Sequence, residues 1–367
     1  MAKSRLHELS EHGQSVWIDS LSRQWLRDRT MRKLIDEDAV VGVTSNPTIF
    51  QKALSEGDWY DDQLRELIQA EEDAREIFWQ LAVADIKEAC DLFRPIWDGG
   101  KGQDGYVSLE VDPDLAYERD ATIEQALKLH DWVDKPNLFV KIPATEPGLG
   151  AIEECIARGR SINVTLIFSL ARYEAVAQAY IRGLERLVES GGDPSGVASV
   201  ASFFVSRVDT EADKRLDAVG HPELKGKLAI ANARLAYERY KKLFAGERWG
   251  ALAAKGATKQ RCLWASTSTK NPEYRDVMYV EELIGPETVN TMPLETIEAF
   301  QEHGVVADKL EEGVGEAQKL LEELADAGVD YNDVTDTLER EGVQKFSDSF
   351  AELLEGISAK RGELVSA

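Results

Sequence analysis

The feature that most constrains this chain is an alternation along its length. Short apolar runs recur at residues 16–19, 40–44, 106–111, 138–143, 162–167, 197–204, 261–266 and 288–292, with helical stretches between them. Several runs are almost wholly apolar, as in Leu138-Phe139-Val140-Lys141-Ile142. Strands covered on both faces look like this, which predicts a parallel sheet with helices outside it. The intervening segments carry the helical period, for example Phe78, Leu81, Ala82, Ile86, Cys90 and Phe93. Eight strands separated by helices predict an α/β fold, a (β/α)8 TIM barrel whose site lies at the C-terminal ends of the strands. A doubly wound open sheet is the alternative, but no strand is followed by a glycine fingerprint for a dinucleotide.

A chain of 367 residues allows two ordinary domains or one large barrel with additions. Two regions exceed a minimal barrel. Residues 50–101 hold about two helices, and after Pro293 only helices are expected, at 294–303, 308–327 and 344–357. No Pro/Gly/Ser-rich linker precedes that tail, so 1–367 reads as a single barrel domain with 294–367 packed on it.

Composition narrows the function. A formal charge of −24, with no Lys/Arg-dense segment, makes nucleic acid a poor partner. No apolar stretch approaches the length of a membrane span, and the polar start from Met1 to Gln14 predicts no secretory signal. Cys90, Cys155 and Cys262 are isolated and odd in number, which suits a reducing cytoplasm. The five histidines are scattered and none pairs with Cys or carboxylates at ligand spacing, so no metal is expected. His130 lies on an apolar helical stripe and reads as a core or boundary residue. Gly99-Gly100-Lys101-Gly102 lacks the spacing of a phosphate loop. Asp112-Pro113-Asp114 is better turn chemistry than a metal pair.

The informative anomalies are polar residues inside strands. Phe139, Lys141 and Pro143 share one strand face, so a barrel would place the lysine in its interior. A buried ammonium escapes its desolvation cost by a falling pKa, and an amine titrating near 7–8 rather than about 10.4 is a nucleophile for carbonyl carbon. The bland reading is a lysine snorkelling at the strand end or held in an inert ion pair. Asp19, Asn46, Glu110, Asn163 and Thr165 stand at or near the ends of other strands. Singly each is more often a cap or a turn; together they converge on one rim, as a barrel active site requires.

These residues belong to longer motifs. Gly42-Val43-Thr44-Ser45-Asn46-Pro47-Thr48-Ile49-Phe50, Ser108-Leu109-Glu110-Val111-Asp112-Pro113, Val140-Lys141-Ile142-Pro143-Ala144-Thr145, Asn163-Val164-Thr165-Leu166-Ile167-Phe168-Ser169 and Ser202-Phe203-Phe204-Val205-Ser206-Arg207 follow one another in order. In that order they resemble the transaldolase family, from Trp17 to about Pro293, with the bacterial subfamily of about this length most similar. The resemblance implies a class I aldolase barrel without metal or organic cofactor. Its reaction would carry a dihydroxyacetone unit from sedoheptulose 7-phosphate to glyceraldehyde 3-phosphate, giving erythrose 4-phosphate and fructose 6-phosphate. It further implies that Lys141 forms the Schiff base, Glu110 works through a bound water, and Asp19 is the acid/base group for carbon–carbon cleavage. Asn46 and Asn163 would hold the dihydroxyacetone hydroxyls, Thr165 and Ser202 would support the water and the imine, and Arg207 would take the substrate phosphate.

Two positions test how far the resemblance reaches. Where many relatives show Ala-Ser-Phe-Arg, this chain has Ala265-Ser266-Thr267-Ser268, followed by Thr269-Lys270. Lys270 or a backbone donor is expected to replace the missing guanidinium, with Ser266 as a hydroxyl contact; a solvated loop charge is the alternative. Phe204 matches a position where aldolase relatives carry tyrosine, and its ring has no proton to give. A lyase of the same superfamily and a non-catalytic sugar-phosphate-binding barrel are the competing readings. The partners expected are phosphorylated sugars only, for a monomer or homodimer without nucleic acid or membrane.

Overall fold

The computed structural model describes residues 4–70 and 73–366. Its strands are β1 (Gln14–Ile18), β2 (Val40–Val43), β3 (Val107–Glu110), β4 (Leu138–Pro143), β5 (Ile162–Ile167), β6 (Ser199–Phe204), β7 (Arg261–Ala265) and β8 (Thr288–Met292). Each pairs in parallel with the next, and β8 closes on β1. The fold is the (β/α)8 barrel that the alternation predicts. The limits of β4, β5 and β8 coincide with the apolar runs, and the other strands are shorter by one or two residues at an end, or begin earlier. Asp19 accordingly stands one residue past β1, where its amide still donates to the Met292 carbonyl.

Buried aromatic residues occupy the N-terminal end of the barrel interior. At the N-terminal end the Tyr106 and Phe139 rings stack at 4.0 Å, and Trp17 lies 6.1 Å from Phe139. A Cβ on Gly42 would fall 2.5 Å from the Trp17 ring, so only glycine lets β2 pass this indole. Above this aromatic layer, the upper half holds Glu110, Lys141 and Asn163. Near that half the β5–β6 register shifts between Val164 and Ile167, and Leu166 takes a left-handed φ of 59°. Such an irregularity re-aims the side chains beside it.

Outside the barrel, two expectations need correction. Three helices, Pro47–Ser55, Asp61–Ala70 and Ala74–Gly99, lie wholly or partly within 50–101. The first was hidden because it starts inside the 42–50 motif, with Asn46 as N-cap and Pro47 at the first turn. In the tail, the helices are Leu294–His303, Val314–Asp326 and a single long Tyr331–Ser366. Gly342 and the exposed polar residues around it mask the continuity of that terminal helix. Its buried stripe nevertheless runs Val334, Leu338, Val343, Phe346, Phe350, Leu353 and Ile357.

The terminal helix lies over the C-terminal rim of the barrel. Tyr331 anchors its start: the hydroxyl accepts from the Leu170 amide at 2.9 Å and donates to Asn232 Oδ1 at 2.6 Å. Farther along, Phe350 packs edge-on against Phe78 at 5.2 Å, and Thr48 donates to Ser349 Oγ at 2.8 Å. Between these anchors a Cβ on Gly342 would come within 3.0 Å of Leu166 Cδ2. The missing side chain lets the helix approach the end of β5 closely.

Candidate active site

Strand register assembles the centre. β4 sets Lys141 beside Glu110 on β3 and beside Asn163 on β5. The Lys141 ammonium lies 3.1 Å from Glu110 Oε2, with both side chains about 5% exposed, and donates to the Ser45 carbonyl at 2.9 Å. Ser45 is held in turn, its hydroxyl donating to the Ser108 carbonyl at 2.7 Å. Thr165 Oγ1 is buried without a hydrogen-bond partner among the described residues. Burial pushes the Glu110 carboxyl above its usual range, against the downward pull of the Lys141 charge. A carboxyl in that position can hold a proton and hand it on.

Asn163 is completely buried, and both ends of its amide are engaged. Its Nδ2 donates to Ser108 Oγ at 3.1 Å, and its Oδ1 accepts from Ser202 Oγ at 2.7 Å. It does not line the pocket, whereas Ser202 does. Asn163 therefore holds its neighbours beneath the floor of the cavity rather than standing in it.

Above this layer the pocket opens between the ends of β1, β2 and β8. Asp19 Oδ1 accepts from Thr44 Oγ1 at 2.6 Å, and Thr44 Oγ1 lies 2.6 Å from Thr291 Oγ1. Burial raises the Asp19 carboxyl, opposed chiefly by the Lys141 charge. Asn46 serves as helix cap, its Oδ1 accepting from the Ile49 amide at 3.0 Å. That bond leaves its amide nitrogen for the pocket it lines.

Cations gather at the mouth. The Arg207 guanidinium sits 5.0 Å over the Phe204 ring and 5.9 Å from the Phe346 ring. Burial lowers its pKa, while Asp19 and Glu110 oppose that fall. Ser266 adopts a left-handed φ of 56°, a conformation that costs a non-glycine residue roughly 1–3 kcal/mol. It is pinned by Ser206, whose amide donates to its carbonyl at 2.9 Å and whose hydroxyl lies 2.8 Å from its own. Lys270 is exposed, lines the same pocket and donates to Ser268 Oγ at 2.6 Å.

The structure thus brings Lys141, Glu110, Asp19, Asn46, Thr165, Ser202, Phe204, Arg207, Ser266 and Lys270 to one end of the barrel, with Asn163 one layer below. Thr44, Thr291, Glu295, Lys345 and Phe346 also line the pocket and carried no role in the sequence reading. Thr44 stood inside a quoted motif, which was the available signal. Lys345 and Phe346 come from the terminal helix, and nothing in their local pattern links them to β4. The lining offers ammonium, guanidinium, hydroxyl and amide groups beside the Asp19 and Glu295 carboxylates, but neither histidine nor cysteine. Such a donor set suits a polyhydroxylated carbonyl compound with an anionic group better than a metal ion.

Comparison with known proteins agrees with that chemistry. Residues 16–357 match the family described as transaldolase/fructose-6-phosphate aldolase. A transaldolase of Frankia alni is 54% identical over 97% of both chains. Those of Acidothermus cellulolyticus and Mycolicibacterium paratuberculosis are 54% and 51% identical, over 96% and 97% of both chains.

Proposed function

Since the chain belongs to the transaldolase/fructose-6-phosphate aldolase family, we propose that it is a transaldolase working through a Schiff base on Lys141. The observation that carries this reading is the buried Lys141–Glu110 pair opening onto a pocket with cations at its mouth.

In this mechanism the Lys141 amine adds to the ketone carbon of the donor sugar phosphate. The resulting carbinolamine loses water to give an iminium, with Glu110 and Thr165 holding that water and Glu110 passing the proton. Asp19 then takes the proton of the hydroxyl carried by the far carbon of the bond to be broken. That bond cleaves, an aldehyde leaves, and its electron pair is kept as an enamine on Lys141. The enamine carbon attacks the carbonyl of an acceptor aldehyde, and Asp19 returns its proton to the new alkoxide. Water finally releases the product ketose and frees the amine. The substrates are sedoheptulose 7-phosphate and glyceraldehyde 3-phosphate, exchanged for erythrose 4-phosphate and fructose 6-phosphate in the cytoplasm. Arg207 takes the phosphate, and the overall charge of −24 explains why free cations must be concentrated at the mouth.

The test has two arms. Borohydride with fructose 6-phosphate should trap a covalent adduct at Lys141, and free dihydroxyacetone should accumulate only slowly without an acceptor. Rapid release without acceptor would identify an aldolase, and the absence of any adduct would rule out both enzymes.

A further inference from the structure

We propose that Lys345, on the terminal helix, supplies a second cation of the phosphate receptor, making this helix part of the substrate-binding machinery. The inference deepens the reading above and rests on it for the identity of the ligand.

Three cations line one side of the chemistry: Arg207, Lys270 and Lys345 all border the pocket that reaches down to Lys141. None of the three takes part in an ion pair among the described residues, although Asp19 and Glu295 line the same cavity. Elsewhere in this strongly acidic chain helix-borne cations pair with neighbouring carboxylates, as Arg186 does with Glu153 and Glu154. Keeping three unpaired positive charges together costs free energy through mutual repulsion, which Asp19 and Glu110 oppose only at Arg207. The Lys345 ammonium, though exposed at the mouth, shows it, its pKa lowered first by the Arg207 charge, then by partial desolvation and then by Lys270. A dianionic phosphate would relieve that repulsion and turn the cost into binding energy.

The helix is built to hold Lys345 where it stands. The next residue, Phe346, is buried with its ring beside the Arg207 guanidinium. Gly342, three residues earlier, lets the helix close on Leu166 at the end of β5. Ser349, four residues later, is hydrogen-bonded to Thr48 at 2.8 Å. One turn on either side of the lysine is therefore fixed to the barrel rim. The substrate phosphate would meet Arg207 from the helix after β6, Lys270 from the loop after β7 and Lys345 from the terminal helix.

The probe is inorganic phosphate, titrated calorimetrically into the intact protein and into Lys345→Met and Lys345→Arg. We expect Lys345→Met to weaken phosphate about tenfold and Lys345→Arg to remain within about twofold of the parent. In kinetics, Lys345→Met should raise KM for fructose 6-phosphate about tenfold while kcat changes much less. Borohydride trapping of dihydroxyacetone, which has no phosphate, should then fall far less than trapping of fructose 6-phosphate. Unchanged phosphate affinity in Lys345→Met would overturn the proposal. So would a parallel loss with both carbonyl compounds, which would mark the helix as a structural support only. Should the parent protein trap no adduct at all, the Schiff-base reading fails, while the phosphate titration still decides the role of Lys345.

Discussion

The Lys141 ammonium and the Glu110 carboxylate stand 3.1 Å apart in the barrel interior, on adjacent positions of β3 and β4. A buried ion pair of this kind adds little to stability, because desolvation offsets most of the attraction. Its place at the base of a polar pocket makes better sense as chemistry. Lys141→Met keeps the side-chain volume and removes the amine. It should lower transfer at least 10³-fold, and Lys141→Arg should be equally inactive, since a guanidinium stays protonated. Circular dichroism should report a folded barrel in both. Substantial turnover in either variant would end the assignment.

Glu110→Gln tests the other half of the pair. The amide keeps the shape but cannot accept and return a proton, so kcat should fall about 10²- to 10⁴-fold. Because the loss lies in carbinolamine formation and breakdown, the borohydride-trappable adduct should form slowly instead of vanishing. Single-turnover trapping against time separates this from simple misfolding, which would abolish the adduct altogether.

Lys270 is the cation that the sequence put forward for the phosphate, and the structure has it exposed at the pocket with Ser268 as its hydrogen-bond partner. An exposed ammonium contributes less than a buried guanidinium, so Lys270→Ala should raise KM for fructose 6-phosphate about threefold to tenfold. Arg207→Ala should cost more, because it also removes the guanidinium's contacts with the Phe204 and Phe346 rings. Equal KM values for Lys270→Ala and the parent would leave Lys270 as a solvated loop charge.

How much of this could be read beforehand depended on whether a residue broke a local rule. Lys141 stood out because an ammonium in Phe139-Val140-Lys141-Ile142 contradicts its apolar neighbours, and β4 lies where that run predicted. Asn163 stood out for the same reason, but the sequence could not tell that Ser108 and Ser202 would occupy its amide beneath the pocket. Thr44 and Thr291 were passed over because hydroxyl residues at strand ends are common turn chemistry. Lys345 broke no rule: a lysine on a long polar helix is expected to face water. Its position near Arg207 follows from the packing of Gly342 against Leu166, a contact across the chain that no local pattern encodes.

A pH effect should arise away from the pocket, in the helix after β6. Burial pushes the Asp209 carboxyl up to about 7, although it accepts from the Ala229 amide at 2.7 Å and the Tyr279 hydroxyl at 2.9 Å. The folded state therefore binds this proton more tightly than the unfolded chain, whose carboxyl titrates near 3.8. Between about pH 4 and pH 7 the folded protein carries the extra proton, so its stability falls as pH rises, by up to about 1.4 kcal/mol per unit from this group. Asp209→Asn removes that slope and keeps an acceptor for Ala229. Urea unfolding at pH 5, 6 and 7 should show the variant gaining on the parent with each step. A constant difference across the three would mean that Asp209 titrates like an ordinary carboxyl.

In the proposed mechanism Phe204 would set how long the enamine survives. Its ring lines the pocket, packs 5.2 Å from Phe168 and supports the Arg207 guanidinium from below. An enamine on Lys141 must wait for an acceptor, and any well-placed hydroxyl would help to protonate it first. Phenylalanine provides the shape of a tyrosine without the proton. In Phe204→Tyr the added oxygen would enter a polar cavity, so the change in stability should stay below about 1 kcal/mol. We expect release of free dihydroxyacetone from fructose 6-phosphate, without acceptor, to rise about tenfold or more, while transfer to glyceraldehyde 3-phosphate falls. Both products can be followed in the same reaction, which makes the ratio independent of enzyme concentration. If release is the same in the two proteins, Phe204 serves only as a platform for Arg207, and the carbanion is protected by the exclusion of water from the closed end of the barrel.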